Sequence, residues 1–181
     1  YFMTTPEDMK CYLEDILRLM EDLPSIYVLF KKKWTKDPRK FLSLGHPDLF
    51  HHYERFKNHP RCFNIHELDN PSQMIALSDL TISVPCSTTT YEALGARQKG
   101  IWYDANHKFR DIYFDGVAGL VCHGYEELLP RVRSLLFEVS EGAYAAYLDK
   151  YVKGRVETYL DGQAITRYRK ALIHQTTADR G

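Results

Sequence analysis

The residues best suited to do chemistry are four consecutive hydroxyls, Ser87, Thr88, Thr89 and Thr90, with Glu92 close behind them. They follow a short apolar stretch, Leu80 to Val84, and a Pro85-Cys86 step. This order predicts a buried strand over Leu80 to Val84 and a turn over Pro85 to Thr90. A helix should then open near Thr88 or Thr89 and run to Ala96. The first backbone N–H groups of a helix have no partner within it, and the macrodipole puts partial positive charge there. A phosphate or another anion suits such a place, and the hydroxyls add donors around it. Glu92 would sit about one turn inside, where its carboxylate can accept hydrogen bonds from sugar hydroxyls. A plainer reading uses the same residues: Ser and Thr cap helix starts, and an early Glu complements the dipole. On these residues alone both readings stand.

The elements that must position this turn follow from periodicity. Thr5-Pro-Glu-Asp is a helix start, and Met9, Tyr12, Leu13, Ile16, Leu17 and Met20 repeat at helical spacing up to Asp22. Ser25 to Phe30 reads as a strand, Trp34 to Gly45 as a loop and Pro47 to Lys57 as a helix. Cys62 to Ile65 reads as a strand, and Asn70-Pro-Ser opens a helix through Leu77. Further strands are expected over Gly100 to Tyr103 and Gly119 to Cys122, and an amphipathic helix over Tyr125 to Phe137. Glu141 to His174 has helical composition, broken near Gly154 and Gly162. Short strands alternating with helices indicate βαβ units, a parallel sheet and helices on both faces. Ligands of such sheets bind beyond the carboxyl ends of the strands. Lys31 to Lys33, the Pro85 to Thr90 turn and Tyr103-Asp104 all fall there, so three strand ends are expected to converge. Two units result: a Rossmann-like domain over 1–140 and a helical extension over 141–181, packed on that domain or on one outside the chain.

Composition narrows the class. The chain has 181 residues, 44% of them apolar and 13% aromatic, enough for a core of one domain. Lys and Arg total 24, as do Asp and Glu, so the basic excess of a broad nucleic-acid surface is missing. No apolar run approaches the roughly 18 residues of a membrane span. Cys11, Cys62, Cys86 and Cys122 lack the spacing of a zinc site or disulfide framework. Cys11, Cys86 and Cys122 sit in apolar contexts, as reduced thiols of a cytoplasmic protein do, so no metal and no cofactor is expected. Tyr1-Phe-Met reads as the tail of an earlier strand, and the chain is expected to be a piece of a longer protein.

Taken together, these residues resemble the C-terminal, donor-binding domain of GT-B-fold glycosyltransferases. The nearest likeness is to enzymes of bacterial capsule, teichoic-acid and related surface-polysaccharide synthesis, the CDP-glycerol glycerophosphotransferase-like family among them. The likeness is carried by Ser78-Asp79-Leu80, Ile82-Ser83, Pro85, Ser87-Thr88-Thr89, Glu92-Ala93-Leu94 and Ile101-Trp102-Tyr103-Asp104. Glu126-Glu127-Leu128 and Asp161-Gly162-Gln163-Ala164 with Arg167 extend it. The resemblance implies one half of a GT-B fold. It implies that Ser87, Thr88 and Thr89 hold the phosphates of a UDP- or CMP/CDP-linked nucleotide-sugar donor, and that Glu92 binds the ribose. Lys31 and Lys33 would neutralise phosphate charge, and Asp104 would lie beside the donor, unless it caps the next turn. It also implies an N-terminal acceptor domain in the same protein and peripheral membrane association of the whole.

The chain departs from that pattern in two places. Where relatives carry Lys-x-His-Pro at the first strand end, it has Lys31-Lys-Lys-Trp, and its Gly45-His46-Pro47 comes later, at a helix start. Pro47 at the first helical position explains that dipeptide without a ligand. Cys86 stands where a small hydroxyl residue is common, with no adjacent base to make it a nucleophile. His107 and His123, near strand ends, are the local candidates for a base, and a structural role competes for each. Two other classes remain open: a non-hydrolysing UDP-GlcNAc epimerase, which shares the domain and the serine turn, and a non-catalytic Rossmann-like module that docks a partner. The aromatic tail, Tyr144, Tyr147, Leu148, Tyr151, Val156, Tyr159 and Leu160, is expected to form an interface with the missing domain.

Overall fold

Thr5 starts the first helix through a reciprocal cap. Its hydroxyl accepts from the Asp8 backbone N–H, and the Asp8 carboxylate accepts from the Thr5 N–H at 2.7 Å. Helix α1 (Pro6–Asp22) then buries Leu13, Ile16, Leu17, Leu19 and Met20. The computed structural model describes residues 5–31, 47–66, 68–156, 163, 166, 167, 169 and 170. After α1 come β1 (Val28–Lys31), α2 (Pro47–Lys57), β2 (Cys62–Ile65), α3 (Pro71–Leu77), β3 (Thr81–Ser83) and α4 (Thr88–Gly95). Then follow β4 (Gly100–Asp104), β5 (Val121–His123), α5 (Tyr125–Phe137), α6 (Glu141–Tyr147) and a π-turn (Leu148–Val152).

Among the described residues all strand pairs are parallel. β1 pairs with β2, and β3, β4 and β5 form a second sheet in that order. The central strand β4 is buried at every residue, as a parallel strand covered on both faces must be. Trp102 meets Tyr91 of α4 on one face, with ring centroids 4.7 Å apart. Tyr103 meets Tyr12 of α1 on the other, at 5.7 Å. Helices therefore cover both faces, and the fold is the Rossmann-like α/β class with C-terminal helices. The two sheets do not join across β1 and β3. On the free side of β3 the Tyr12 hydroxyl donates to the Ile82 carbonyl at 3.1 Å, where a neighbouring strand would otherwise pair.

Polar contacts lock α1 to this sheet. Asp8, Asp15 and Asp22 stand seven residues apart and so share one face. Asp8 meets Lys108 Nζ at 2.6 Å and Asn106 Nδ2 at 2.7 Å. Tyr103 donates to Asp15 and Tyr125 donates to Asp22, each at 2.5 Å. At the other end the Arg61 guanidinium collects the carbonyls of Met20, Leu23, Pro24 and Ile26. Those last residues thereby become a helix cap. For this reason β1 begins at Val28 rather than at Ser25.

The expected helices over 47–57 and 125–137 match the observed bounds. Strands near 81, 100 and 121 shift by one or two residues at their ends. The aromatic tail departs from expectation. Tyr144, Leu148 and Val152 lie in the one core cluster, with Tyr147, Tyr151 and Val156 packed against it. Tyr144 fixes the tail by accepting from the Gly100 N–H at 3.0 Å. These six residues thus complete this unit's own core. Gly154, at φ +80°, ends the helical stretch where the sequence suggested a break. The expected loop over Trp34 to Gly45, Tyr159, Leu160 and the Gly162 break lie outside the described residues.

Candidate functional site

The turn before α4 is built by its own residues. The Ser87 N–H donates to the Val84 carbonyl at 3.2 Å, Pro85 sits second and Cys86 third with φ +61°. A proline that pre-sets φ followed by a left-handed residue is the pattern of a type II turn. Ser87 is the helix N-cap, and its Oγ accepts from the Thr89 N–H at 3.4 Å. Below the turn the Trp102 indole N–H donates to the Ser87 carbonyl at 3.2 Å, tying it to β4.

The four hydroxyls divide into two kinds. Thr90 is fully buried, donates to the Ile101 carbonyl at 3.0 Å and shares a 2.6 Å hydrogen bond with Ser83. It clamps α4 onto β3 and β4 and is no donor to a ligand. Ser87 and Thr89 are half-buried and Thr88 exposed, all in the first turn where the helix N–H groups lack intrahelical partners. Glu92 is exposed one turn on, and among the described residues nothing pairs with its carboxylate.

Asp104 sits at the end of β4, 3% exposed. Its carboxylate accepts from the backbone N–H groups of Lys108 at 3.1 Å and Phe109 at 2.8 Å, and from His123 Nδ1 at 2.9 Å. This is the turn-capping role weighed for it above. Lys31 ends β1 and donates through Nζ to the His66 carbonyl at 3.1 Å, linking the ends of β1 and β2. Lys33 and His46 lie outside the described residues. His107 stacks on His123, ring centroids 6.2 Å apart, and shares a hydrogen bond with Arg110.

A shallow depression opens between the ends of β3 and β4, with Asp8 and Tyr12 of α1 as its far wall. Pro85 and Asp104 line it; Ser87, Thr88, Thr89, Glu92 and Lys31 do not. Burial works against the Asp8 charge, but Lys108, Thr5 and Asn106 outweigh it and hold the carboxyl well below the usual range. Asp8 and Asp104 both line the depression, which makes it a poor place for an anion.

Burial alone pushes the Cys62 thiol up to about 11, and burial raises Cys122 to about 12. Burial also raises Cys86, so no thiol here is poised as a nucleophile. Cys11 and Cys86 are half-buried, whereas Cys62 and Cys122 are buried. Among the described residues no group of three His, Cys, Asp or Glu side chains is placed to hold a metal ion. Nor is any helix there long and apolar enough to cross a membrane.

Sequence reasoning missed the clamp at Thr90 and the pairing of Asp104 with His123. Neither carried a local signal, since the partners Ile101 and His123 stand 11 and 19 residues away.

Fold and turn together define a Rossmann-like α/β protein with hydroxyls and helix N–H groups grouped beyond the sheet. The chain belongs to the family of polysaccharide biosynthesis PFTS motif proteins, whose model matches residues 1–132. It is thereby tied to polysaccharide biosynthesis. No curated protein and no solved structure matched the chain.

Proposed function

We propose that this chain is the nucleotide-sugar-binding domain of a GT-B-type glycosyltransferase of surface-polysaccharide synthesis, related to the CDP-glycerol glycerophosphotransferases. The donor phosphates lie against the first turn of α4, at Ser87, Thr88 and Thr89, and the ribose hydroxyls meet Glu92. A cytoplasmic enzyme follows, since that is where nucleotide sugars are made. The acceptor and the base that deprotonates it come from an N-terminal domain outside this chain.

The carrying observation is the pairing of an N-capped helix start, rich in hydroxyls, with a carboxylate one turn inside it that is unpaired among the described residues. The family's motif adds weight. Read as residues, PFTS is Pro-Phe-Thr-Ser, which Pro85-Cys86-Ser87-Thr88 resembles in its leading proline and its two closing hydroxyls. In glycosyl transfer, N–H groups and hydroxyls so placed offset the charge growing on the departing phosphate. Lys31, at the end of β1, would add positive charge as the resemblance implies.

The test is calorimetry or ligand-observed NMR with UDP, CMP, CDP and GDP on the chain and on Glu92→Ala. One nucleotide should bind saturably. Losing a charge-assisted contact worth about 1.5–3 kcal/mol should weaken it roughly 10- to 100-fold, with stability unchanged. Binding that is indifferent to Glu92 would overturn the ribose assignment, and no binding by the full-length protein would overturn the whole reading.

A further inference from the structure

One group in this unit is held from both sides by opposite charge. His123 Nδ1 lies 2.9 Å from Asp104 Oδ2, and Nε2 lies 2.5 Å from Asp115 Oδ1. A carboxylate only accepts, so both contacts are made at once only when both ring nitrogens carry protons. The two aspartates come from different places, Asp104 from the end of β4 and Asp115 from the connection 105–120. The other groups around the ring are His107, stacked on it, Arg110 beyond His107, and Glu127 of α5, whose carboxylate accepts from the His123 backbone N–H at 2.8 Å.

We infer that Asp104, His123 and Asp115 form a proton-operated latch on the connection 105–120, closed while the imidazole is charged. When the proton leaves to solvent, one N–H remains for two carboxylates. The side chain of Asp104 is 2% exposed, against 27% for Asp115. A buried carboxylate facing a lone pair is the costlier arrangement, so the remaining N–H stays with Asp104. Asp115 is released to water. It also accepts from the Asp111 N–H at 3.0 Å, and its neighbour Phe114 stacks on Trp102 with centroids 4.6 Å apart. Opening therefore loosens the stretch 111–116, ahead of the core residue Val117, and uncovers one face of Trp102.

Burial opposes charge on His123, but the bonds to Asp115 and Asp104 outweigh it and raise its pKa above the ordinary 6.5. The His123 bond holds Asp115 below the usual carboxylate range. The latch is thus fully closed at pH values below about 6.5, down to where Asp115 takes up a proton, and opens as pH rises through the folded value for His123. This inference does not rest on the proposed function.

The test uses Trp102 fluorescence in a Trp34→Phe background, with hydrogen exchange of the Asp111, Asp115 and Val117 amides corrected for intrinsic rates. Across the His123 titration, followed by NMR of its ring, protection should fall about tenfold and the fluorescence should shift with it. Asp115→Asn should remove the step and leave the amides weakly protected at every pH. His107→Asn, which tolerates the φ of +53° at that position, should leave the step in place. A step that survives Asp115→Asn, one lost in His107→Asn, or a His123 ring already neutral at pH 6 would each overturn the latch.

Discussion

Replacing Thr90 by Val tests how the hydroxyl run is divided. Valine keeps the shape and removes one oxygen, which is fully buried, donates to the Ile101 carbonyl at 3.0 Å and bonds Ser83 at 2.6 Å. Two hydrogen bonds of about 0.5–1.5 kcal/mol each are lost, and Ser83 is left buried with only a 3.5 Å contact to Val84. The total comes to about 2–3 kcal/mol, or roughly 4–12 °C in Tm for a chain of this size. Ser87→Ala removes the N-cap and a 3.3 Å contact to Thr89 Oγ1, and should cost about 1 kcal/mol. Thr88→Val, on an exposed side chain, should stay within about 0.5 kcal/mol. Urea denaturation of the three variants measures all of this, with constant m as the check that folding remains two-state. Equal losses at Thr88 and Thr90 would refute the division. So would a Thr90→Val protein as stable as the parent.

Two further outcomes follow from the packing. Gly124→Ala places a side chain at φ +75° with its Cβ 2.7 Å from His107 Nε2, and should cost about 2–4 kcal/mol by denaturant titration. Arg61→Met removes the donor to four carbonyls at the end of α1 and should cost about 2–3 kcal/mol, with Tm falling by roughly 4–12 °C. A loss below about 0.5 kcal/mol would mean that water replaces the guanidinium fully.

Helices carried by apolar spacing were readable residue by residue, because Leu128, Val132 and Leu135 can bury themselves only on one helical face. Strand ends were less so. A strand stops where its partner stops, and β3 has a bonded partner on one side only. The start of β1 was hidden for a different reason: Arg61, 35 residues from Ile26, decides that this stretch caps a helix. In the site, the N-cap and the exposed Glu92 are local features, legible from a few residues. Thr90 and Asp104 are defined by contacts with β4 and β5, which no local pattern carries. The aromatic tail looked like surplus surface because the depth of the cavity it fills, down to the Gly100 N–H, is a property of the packed sheet.

The three aspartates of α1 have a consequence for how the helix finds its place. An apolar face of Leu, Ile and Met is tolerant of sliding, since one such side chain fits another's pocket at small cost. Carboxylates are not. A slip of one turn would carry Asp15 away from Tyr103 and Asp22 away from Tyr125, stranding the half-buried Asp15 carboxylate and two buried phenols. The seven-residue spacing thus acts as a ruler. Any substitute for α1 with equal hydrophobicity but without Asp8, Asp15 and Asp22 would bind the sheet in several registers, and Tyr12 would cap Ile82 in only one of them.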